Sequence, residues 1–258
     1  MSPLEARIGC VPYLNARPLI EGLSLPVRKL IPSKLGEAFQ LGEFDAALLS
    51  SIDVISSPNP CAVEGVSISS YGDVYSVVLA YQGEVRGIEK VVLDPASHTS
   101  NALLRIVLEE FYGTSPEYVQ SHDLIPENID LLIPTLLIGD RAIKERKRTS
   151  NPGIRFLDLG GEWYRNTSLP FVFALWSLRN EFTKKNELCA LLRQIKNAGI
   201  GKIDEIAARD QDSEFALRYL TEFIGYDLGD QEKAGLALFG DYLEKYTIVN
   251  IYKKIMYL

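Results

Sequence analysis

Three polar tips of different chemistry, Tyr13, Asn15 and Arg17, alternate along Val11-Pro12-Tyr13-Leu14-Asn15-Ala16-Arg17-Pro18-Leu19. A phenol, an amide and a guanidinium so spaced can donate to, accept from and neutralise a small polar ligand. Each proline lacks an N–H and disfavours the α region for the residue before it, which excludes a regular helix here. The segment is therefore expected as a loop at the C-terminal end of a first strand, Arg7–Val11. Ligands bind at that edge in open α/β sheets. An ordinary strand-to-helix turn would use the same residues.

A second group lies in Asp94-Pro95-Ala96-Ser97-His98-Thr99-Ser100-Asn101-Ala102, which joins a strand to a well-patterned helix. The first turn of that helix has amides without helical partners and a partial positive charge. It can hold a carboxylate or phosphate without a basic side chain. Thr99 and Ser100 are the candidates for this; an elaborate N-cap would need only one of Ser97, Thr99 or Ser100. Ser50 and Ser51 put two hydroxyls just past the apolar run Ala46–Leu49, and Ser76 opens the apolar run Val77–Tyr81. Asp140, in Gly139-Asp140-Arg141, ends another such run and can act as a base, a cap or an ion-pair partner of Arg141. Trp163, Phe171 and Phe173 can wall a ligand pocket or fill the core.

The chemistry excluded is equally informative. A net charge of −7 in 258 residues argues against nucleic acid, which requires a basic face. The one dense basic run, Lys144-Glu145-Arg146-Lys147-Arg148, reads as a solvated helix end. Cys10, Cys61 and Cys189 are scattered, as in a reduced cytosolic protein. With His98 and His122 the only histidines, no His/Cys cluster has metal-ligand spacing. Dinucleotide fingerprint, phosphate loop and nucleophile elbow are all missing. Met1-Ser2-Pro3-Leu4-Glu5-Ala6-Arg7 lacks the pattern of an export signal, and no apolar run approaches the roughly 20 residues of a membrane span. A cytoplasmic protein with a small-molecule ligand and no membrane partner is expected; its oligomeric state is unknown.

The elements positioning these residues alternate. Expected strands are Arg7–Val11, Val27–Ile31, Ala46–Leu49, Val77–Tyr81, Lys90–Leu93, Leu132–Ile138, Phe156–Leu159 and Phe171–Trp176; several are apolar throughout, as in strands covered on both faces. One helix is expected after Pro32 with Ser33 as N-cap and Gly42 at its stop. Another is expected from Thr99 to Gly113. After Arg179 come three amphipathic helices, Lys185–Ala198, Glu214–Ile224 and Gln231–Tyr246. No linker interrupts the chain, which suits two α/β lobes with a ligand cleft between them. Residues 1–81 and 176–258 are expected to form the first lobe and 82–175 the second, with the C-terminal helices returning to the first.

In order along residues 8 to 176, these segments resemble the chorismate dehydratase family of the futalosine route to menaquinone. The matching stretches are Pro12-Tyr13-Leu14-Asn15-Ala16-Arg17-Pro18-Leu19, Pro32-Ser33-Lys34-Leu35, Asp45-Ala46-Ala47-Leu48-Leu49-Ser50-Ser51 and Ser76-Val77-Val78-Leu79. Further on come Leu93-Asp94 with Thr99-Ser100, Leu137-Ile138-Gly139-Asp140-Arg141-Ala142, and Asp158-Leu159-Gly160 with Trp163 and Leu169-Pro170-Phe171-Val172-Phe173-Ala174. Two departures stand out: His98 replaces an expected arginine, and Ile133-Pro134-Thr135 interrupts the run before Gly139-Asp140. The resemblance implies the type II periplasmic-binding-protein-like fold and conversion of chorismate to 3-[(1-carboxyvinyl)oxy]benzoate and water, a lyase reaction without cofactor. It implies Asn15 and Ser76 at the reacting region, with Tyr13, Arg17, Ser50, Ser51, Thr99, Ser100, Asp140 and Trp163 binding substrate. A substrate carboxylate or a water takes the proton on this reading, with Asp140 or His98 as alternative bases. Rival readings are the sibling enzyme that releases 1,4-dihydroxy-6-naphthoate and a cytosolic carboxylate-binding sensor.

Overall fold

Short buried apolar runs alternate with amphipathic helices, and the chain closes into two sheets. A computed structural model describes residues 4–120, 133–251 and 253–258. The first part runs β1 (Ile8–Cys10), β2 (Val27–Lys29), α1 (Pro32–Gln40), β3 (Ala46–Ser50), α2 (Ser51–Ile55), β4 (Cys61–Ala62) and β5 (Ser67–Ser70). The middle part runs β6 (Val77–Tyr81), β7 (Lys90–Leu93), α3 (His98–Ile106), β8 (Glu117–Gln120), β9 (Thr135–Ile138), α4 (Gly139–Arg148), β10 (Arg155–Asp158) and α5 (Leu159–Thr167). The last part comprises β11 (Phe171–Leu178), α6 (Lys185–Ile200), α7 (Ile203–Ala207), α8 (Ser213–Arg218), α9 (Asp230–Lys245) and β12 (Met256–Tyr257).

The first sheet has the order β2-β1-β3-β11-β5 and the second β10-β6-β9-β7-β8. Strands β1, β2 and β3 are parallel, while β11 runs antiparallel to both β3 and β5. In the second sheet β7 is parallel to β8 and β9, and β6 is antiparallel to β9 and β10. The expected two-lobed α/β architecture is the one observed, with the C-terminal ends of β1, β3, β7 and β9 facing one cleft.

The sheets divide the chain one strand away from the expected boundaries at Tyr81 and Leu175. Val77–Tyr81 belongs to the second sheet, and the whole of Phe171–Leu178 belongs to the first. A buried apolar run shows that a strand is covered on both faces but not which sheet owns it. The first crossing, after Ser70, is pinned by Asp158. Its carboxylate accepts from the amides of Val74 (2.9 Å), Tyr75 (2.8 Å) and Gly161 (3.1 Å) and from Arg146 (3.1 Å). Tyr75 adopts the left-handed φ of 65° under the Arg146 guanidinium, which lies 3.9 Å from its ring centre.

Local chemistry explains the other differences. Leu14–Leu19 is a short 3-10 turn rather than an open loop, because Leu14, Ala16, Pro18 and Leu19 are buried. It supports α6 at close range: a Cβ on Gly199 would lie 1.9 Å from the Pro18 carbonyl. The N-cap of α1 is Ile31, not Ser33, with Pro32 in the first turn where its missing N–H costs nothing. The Ser33 amide instead reaches across to the Ala96 carbonyl at 3.1 Å. The helix expected to Gly113 continues past Ile106 through a π turn, Val107–Phe111. Strands β4, β5, β8 and β12 and helices α2, α5 and α7 lie outside the expected elements. Strand β5 reads Ser-Ile-Ser-Ser, and two of its three hydroxyls find carbonyl partners, Ser67 donating to Asp227 and Ser70 to Gly72, while Ser69 Oγ is buried without one. Helix α5 opens with Gly160-Gly161, which reads as a turn. A Cβ on Gly160 would lie 2.6 Å from Ser70 Oγ and 2.8 Å from the Gly72 carbonyl, so close approach of the first lobe requires that glycine, whereas one on Gly161 would meet only the movable tips of Asp73 and Arg165.

Candidate active site

A cleft opens between the sheets where the ends of several strands and the start of α3 meet. Its walls are apolar, with Val11, Leu48, Ile68, Val74, Ile138 and Phe173 among them, and its polar groups are few. Tyr13, Asn15, Ser50, Ser76, Thr99 and Ser100 all line it, brought together from the ends of β1 and β3, the start of β6 and the start of α3. Ser97, quoted in the sequence motif but not chosen from it, lines it as well.

The Tyr13 ring lies against Gly139. That glycine has φ 57°, and a Cβ there would meet the ring at 2.9 Å, so the turn from β9 into α4 admits the ring only without a side chain. Burial, with the Asp94 and Asp140 carboxylates adding to it, pushes the Tyr13 phenol up to about 12, so it is a donor near neutral pH.

At the start of α3, Ser97 caps the helix: its Oγ accepts from the Ser100 amide at 3.1 Å and lies 2.9 Å from Ser100 Oγ. The Thr99 hydroxyl accepts from the Ile52 amide of α2 at 3.0 Å, tying the two lobes together. Thr99 and Ser100 accept through these bonds and keep their hydroxyl hydrogens, which with the remaining first-turn amides of α3 are what this end offers an anion. Ser50 is buried and donates to Asp53 Oδ2 at 2.7 Å.

The opposite end is built differently. Asn15 Oδ1 is buried and has no hydrogen-bond partner. Ser76, 1% exposed, accepts from the hydroxyl of Tyr219 at 2.8 Å. Tyr219, which the sequence reading passed over, follows α8 in a π turn. Inside the apolar stripe of a helix, a tyrosine carries no sequence signal that separates a site role from packing.

Four residues chosen from the sequence do not line the cleft. Arg17 turns away to Asp210, with Nη1 3.4 Å from the carboxylate. The Ser51 hydroxyl is spent on the Val172 carbonyl at 2.5 Å, bracing α2 against β11. Asp140 faces the cleft-forming turn rather than the cleft: its Oδ1 accepts from the Leu14 amide at 3.4 Å, and burial raises its pKa. Trp163 is fully buried against Phe111, Phe171, Phe239 and Tyr242. It is core because α5, unseen in the sequence, turns it inward. His98 sits on the rim, 3.2 Å from Asp53, and His122 lies outside the described residues. Among the described residues no cluster of His, Cys, Asp or Glu is arranged to hold a metal ion, and no helix is long and apolar enough to cross a membrane.

Residues 6–245 match the sequence profile of a family described as menaquinone biosynthesis. The chain belongs to that family. A chorismate dehydratase from Thermus thermophilus is 30% identical to it, covering 92% of this chain and 94% of the relative. Among solved structures, a protein from Archaeoglobus fulgidus superposes with a TM-score of 0.74 at 18% identity, over 95% of this chain and 98% of its own. The alkanesulfonate-binding protein of Xanthomonas axonopodis pv. citri superposes with a TM-score of 0.69 at 14% identity, over the full length of both chains. These two likenesses carry the fold, that of the periplasmic binding proteins, in this member of the menaquinone biosynthesis family.

Proposed function

We propose that this family member is a chorismate dehydratase, a carbon–oxygen lyase that converts chorismate to 3-[(1-carboxyvinyl)oxy]benzoate and water. The observation that carries the reading is the likeness to the Thermus thermophilus enzyme along nearly the whole chain. The site chemistry supports it. Chorismate loses the ring proton beside the enolpyruvyl ether and the neighbouring hydroxyl, and the ring becomes aromatic. The reaction is strongly downhill, so the protein need only position the substrate and steady charge as the proton leaves.

The free first-turn amides of α3 and the Thr99 hydroxyl hold one substrate carboxylate, and Tyr13, as a neutral donor, serves the other polar arm, where Ser50, its hydrogen given to Asp53, can only accept. Asn15 presents its unpartnered carbonyl oxygen to the substrate hydroxyl and Ser76 its hydroxyl to the developing charge. Among the described residues the cleft lining includes no carboxylate or imidazole. Asp140 and His98 each face other partners, which supports a substrate carboxylate or a bound water as the proton acceptor. The three cysteines are free and buried, which supports a place in the reducing cytosol.

The test is incubation of the purified protein with chorismate in EDTA, following the aromatic product by chromatography. Formation of the carboxyvinyloxybenzoate is the expected result. Consumption of a cyclised futalosine with chorismate untouched would assign the sibling reaction. No turnover of either, with a rise in melting temperature on adding a small carboxylate, would assign a sensor.

A further inference from the structure

Two consecutive residues of one strand, Phe173 and Ala174, both line the cleft, and they are the only half-buried positions in an otherwise buried β11. Neighbours in a regular strand point to opposite faces of the sheet, so sharing one cleft requires a break in the pleat. The break is there. Between β11 and β5 the register slips, pairing Val172 with Ser69 and Ala174 with Ile68, and Phe173 is left over as the extra residue of a bulge. On its other side β11 pairs with β3 only as far as Ala174 and Ser50, where β3 gives way to α2. Just past that pair the Val172 carbonyl accepts from the Ser51 hydroxyl at 2.5 Å, and both residues are buried. The Phe173 ring leans edgewise on that of Phe171, with 4.7 Å between centres, and Phe171 is 1% exposed.

We propose that Phe173 is a specificity-determining residue that favours a flat ring in the cleft, and that Ser51 is the positioning residue that holds the bulge presenting it. The proposal rests on the dehydratase reading, in which a non-aromatic diene ring becomes aromatic. Among the described residues the lining holds two aromatic rings, and that of Tyr13 is laid against Gly139. Phe173 is the other, and the rest of the apolar wall is aliphatic. Aliphatic groups accept a puckered or a flat ring alike. An aromatic ring adds to its buried area an attraction for a second π system, stacked or edge-on. As the proton and the hydroxyl leave chorismate the ring flattens, so the preference acts on the transition state more than on the substrate. Bulges are common beside active sites because the extra residue re-aims a side chain. Removing the Ser51 hydroxyl takes a donor from a buried carbonyl at that point and frees the bulge to shift.

The test measures by calorimetry the affinities for benzoate and for cyclohexanecarboxylate, which share the carboxylate and differ in whether the ring is flat. Wild type should prefer benzoate. Phe173→Leu keeps an apolar side chain and should lower that preference by about 3- to 10-fold, with kcat/KM for chorismate falling by a similar factor. Ser51→Ala should lower the preference by about 2-fold or more, yet leave it within about 1.5-fold when added to Phe173→Leu, because the hydroxyl acts through the ring. The ratio of the two affinities cancels a general loss of affinity or of folded protein, which is all that a structural role for either residue would cause. An unchanged ratio in Phe173→Leu overturns the proposal even if kcat/KM falls, since the ring would then only fill space. If Phe173→Leu does not fold, Ser51→Ala decides: a lowered ratio supports the proposal, and the wild-type ratio overturns it. Wild-type protein that binds neither acid, or both equally, also overturns it. Wild-type protein that prefers benzoate but leaves chorismate unchanged would defeat the dehydratase reading instead, so the two failures are separable.

Discussion

The two ends of the cleft hold similar numbers of polar side chains and use them in opposite ways. At the start of α3 the hydroxyls of Ser97, Thr99 and Ser100 are bonded to one another or to backbone amides, including the amide of Ile52 across the cleft. What that end presents to a ligand is donors only, free backbone amides and the hydroxyl hydrogens that Thr99 and Ser100 keep, which suits grip on an anion. At the Asn15 end a carbonyl oxygen is buried without a partner, and Ser76 has a hydrogen to give. An unpartnered buried polar atom costs free energy unless a ligand satisfies it. The contrast separates grip from chemistry: donors suited to an anion sit at the α3 end, while a buried acceptor without a partner sits where bonds break.

The largest effect expected of any substitution that bears on this contrast belongs to a residue placed outside both ends. Trp163→Ala removes an indole packed against four aromatic rings and should cost roughly 3–5 kcal/mol of stability. Denaturant unfolding measures that cost, while kcat per folded molecule should be unchanged. A fall in kcat at full folding would return Trp163 to the site. Next comes Asn15→Ala or Asn15→Leu, expected to lower kcat by about 10²-fold while substrate affinity and melting temperature move far less. A stability loss with intact turnover would reduce Asn15 to a turn residue and erase the difference between the two ends.

The same contrast explains what was legible in the sequence. Hydrophobic runs located Val77–Tyr81 and Lys90–Leu93 to the residue, and a strand end rich in polar residues correctly drew attention to Tyr13, Asn15, Ser50, Ser76, Thr99 and Ser100, all of which line one cleft. Ownership of strands by sheets was not legible, because it depends on pairing between β6 and β9 and between β11 and β5, partners distant in the chain. Helix α5 was hidden by Gly160-Gly161, of which Gly160 answers to the approach of the first lobe, a tertiary fact. Ser51 and Arg17 have the right chemistry but are spent on Val172 and Asp210. Residue type shows what a side chain can do; only its neighbours show whether that capacity is already used.

Thr99→Val sharpens the comparison from the gripping end. The substitution keeps shape and leaves the Ile52 amide buried without its acceptor, a cost of about 1–3 kcal/mol. Because that bond joins α2 to α3 across the cleft, part of the cost should fall on the closed arrangement. KM should rise several-fold with kcat nearly unchanged, the reverse of the Asn15 variants. Equal losses in kcat at both positions would mean that the two ends do not divide the labour.

The smallest effect expected is electrostatic and lies on the rim. Asp53 accepts from Ser50 through Oδ2 and faces His98 Nδ1 through Oδ1 at 3.2 Å, so one carboxylate joins the cleft lining to the second lobe. Gly36 makes room for it, since a Cβ there would lie 2.8 Å from Asp53 Oδ2. The hydrogen bond to Asp53 raises the His98 pKa above the ordinary 6.5, and burial offsets only part of that rise. A raised histidine pKa contributes stability that is complete below 6.5 and is lost as pH climbs through the higher folded value. The His98 side chain is half exposed, so solvent screening holds the contribution to a few tenths of a kcal/mol. Melting temperatures of wild type and His98→Gln should therefore differ most below pH 6.5 and converge in base, and the acid difference should shrink in high salt. A difference that ignored both pH and salt would mean that the imidazole is held by packing rather than charge. In that case the rim would add nothing to lobe closure that protonation can tune, and grip would rest on the α3 amides and the Thr99–Ile52 bond alone.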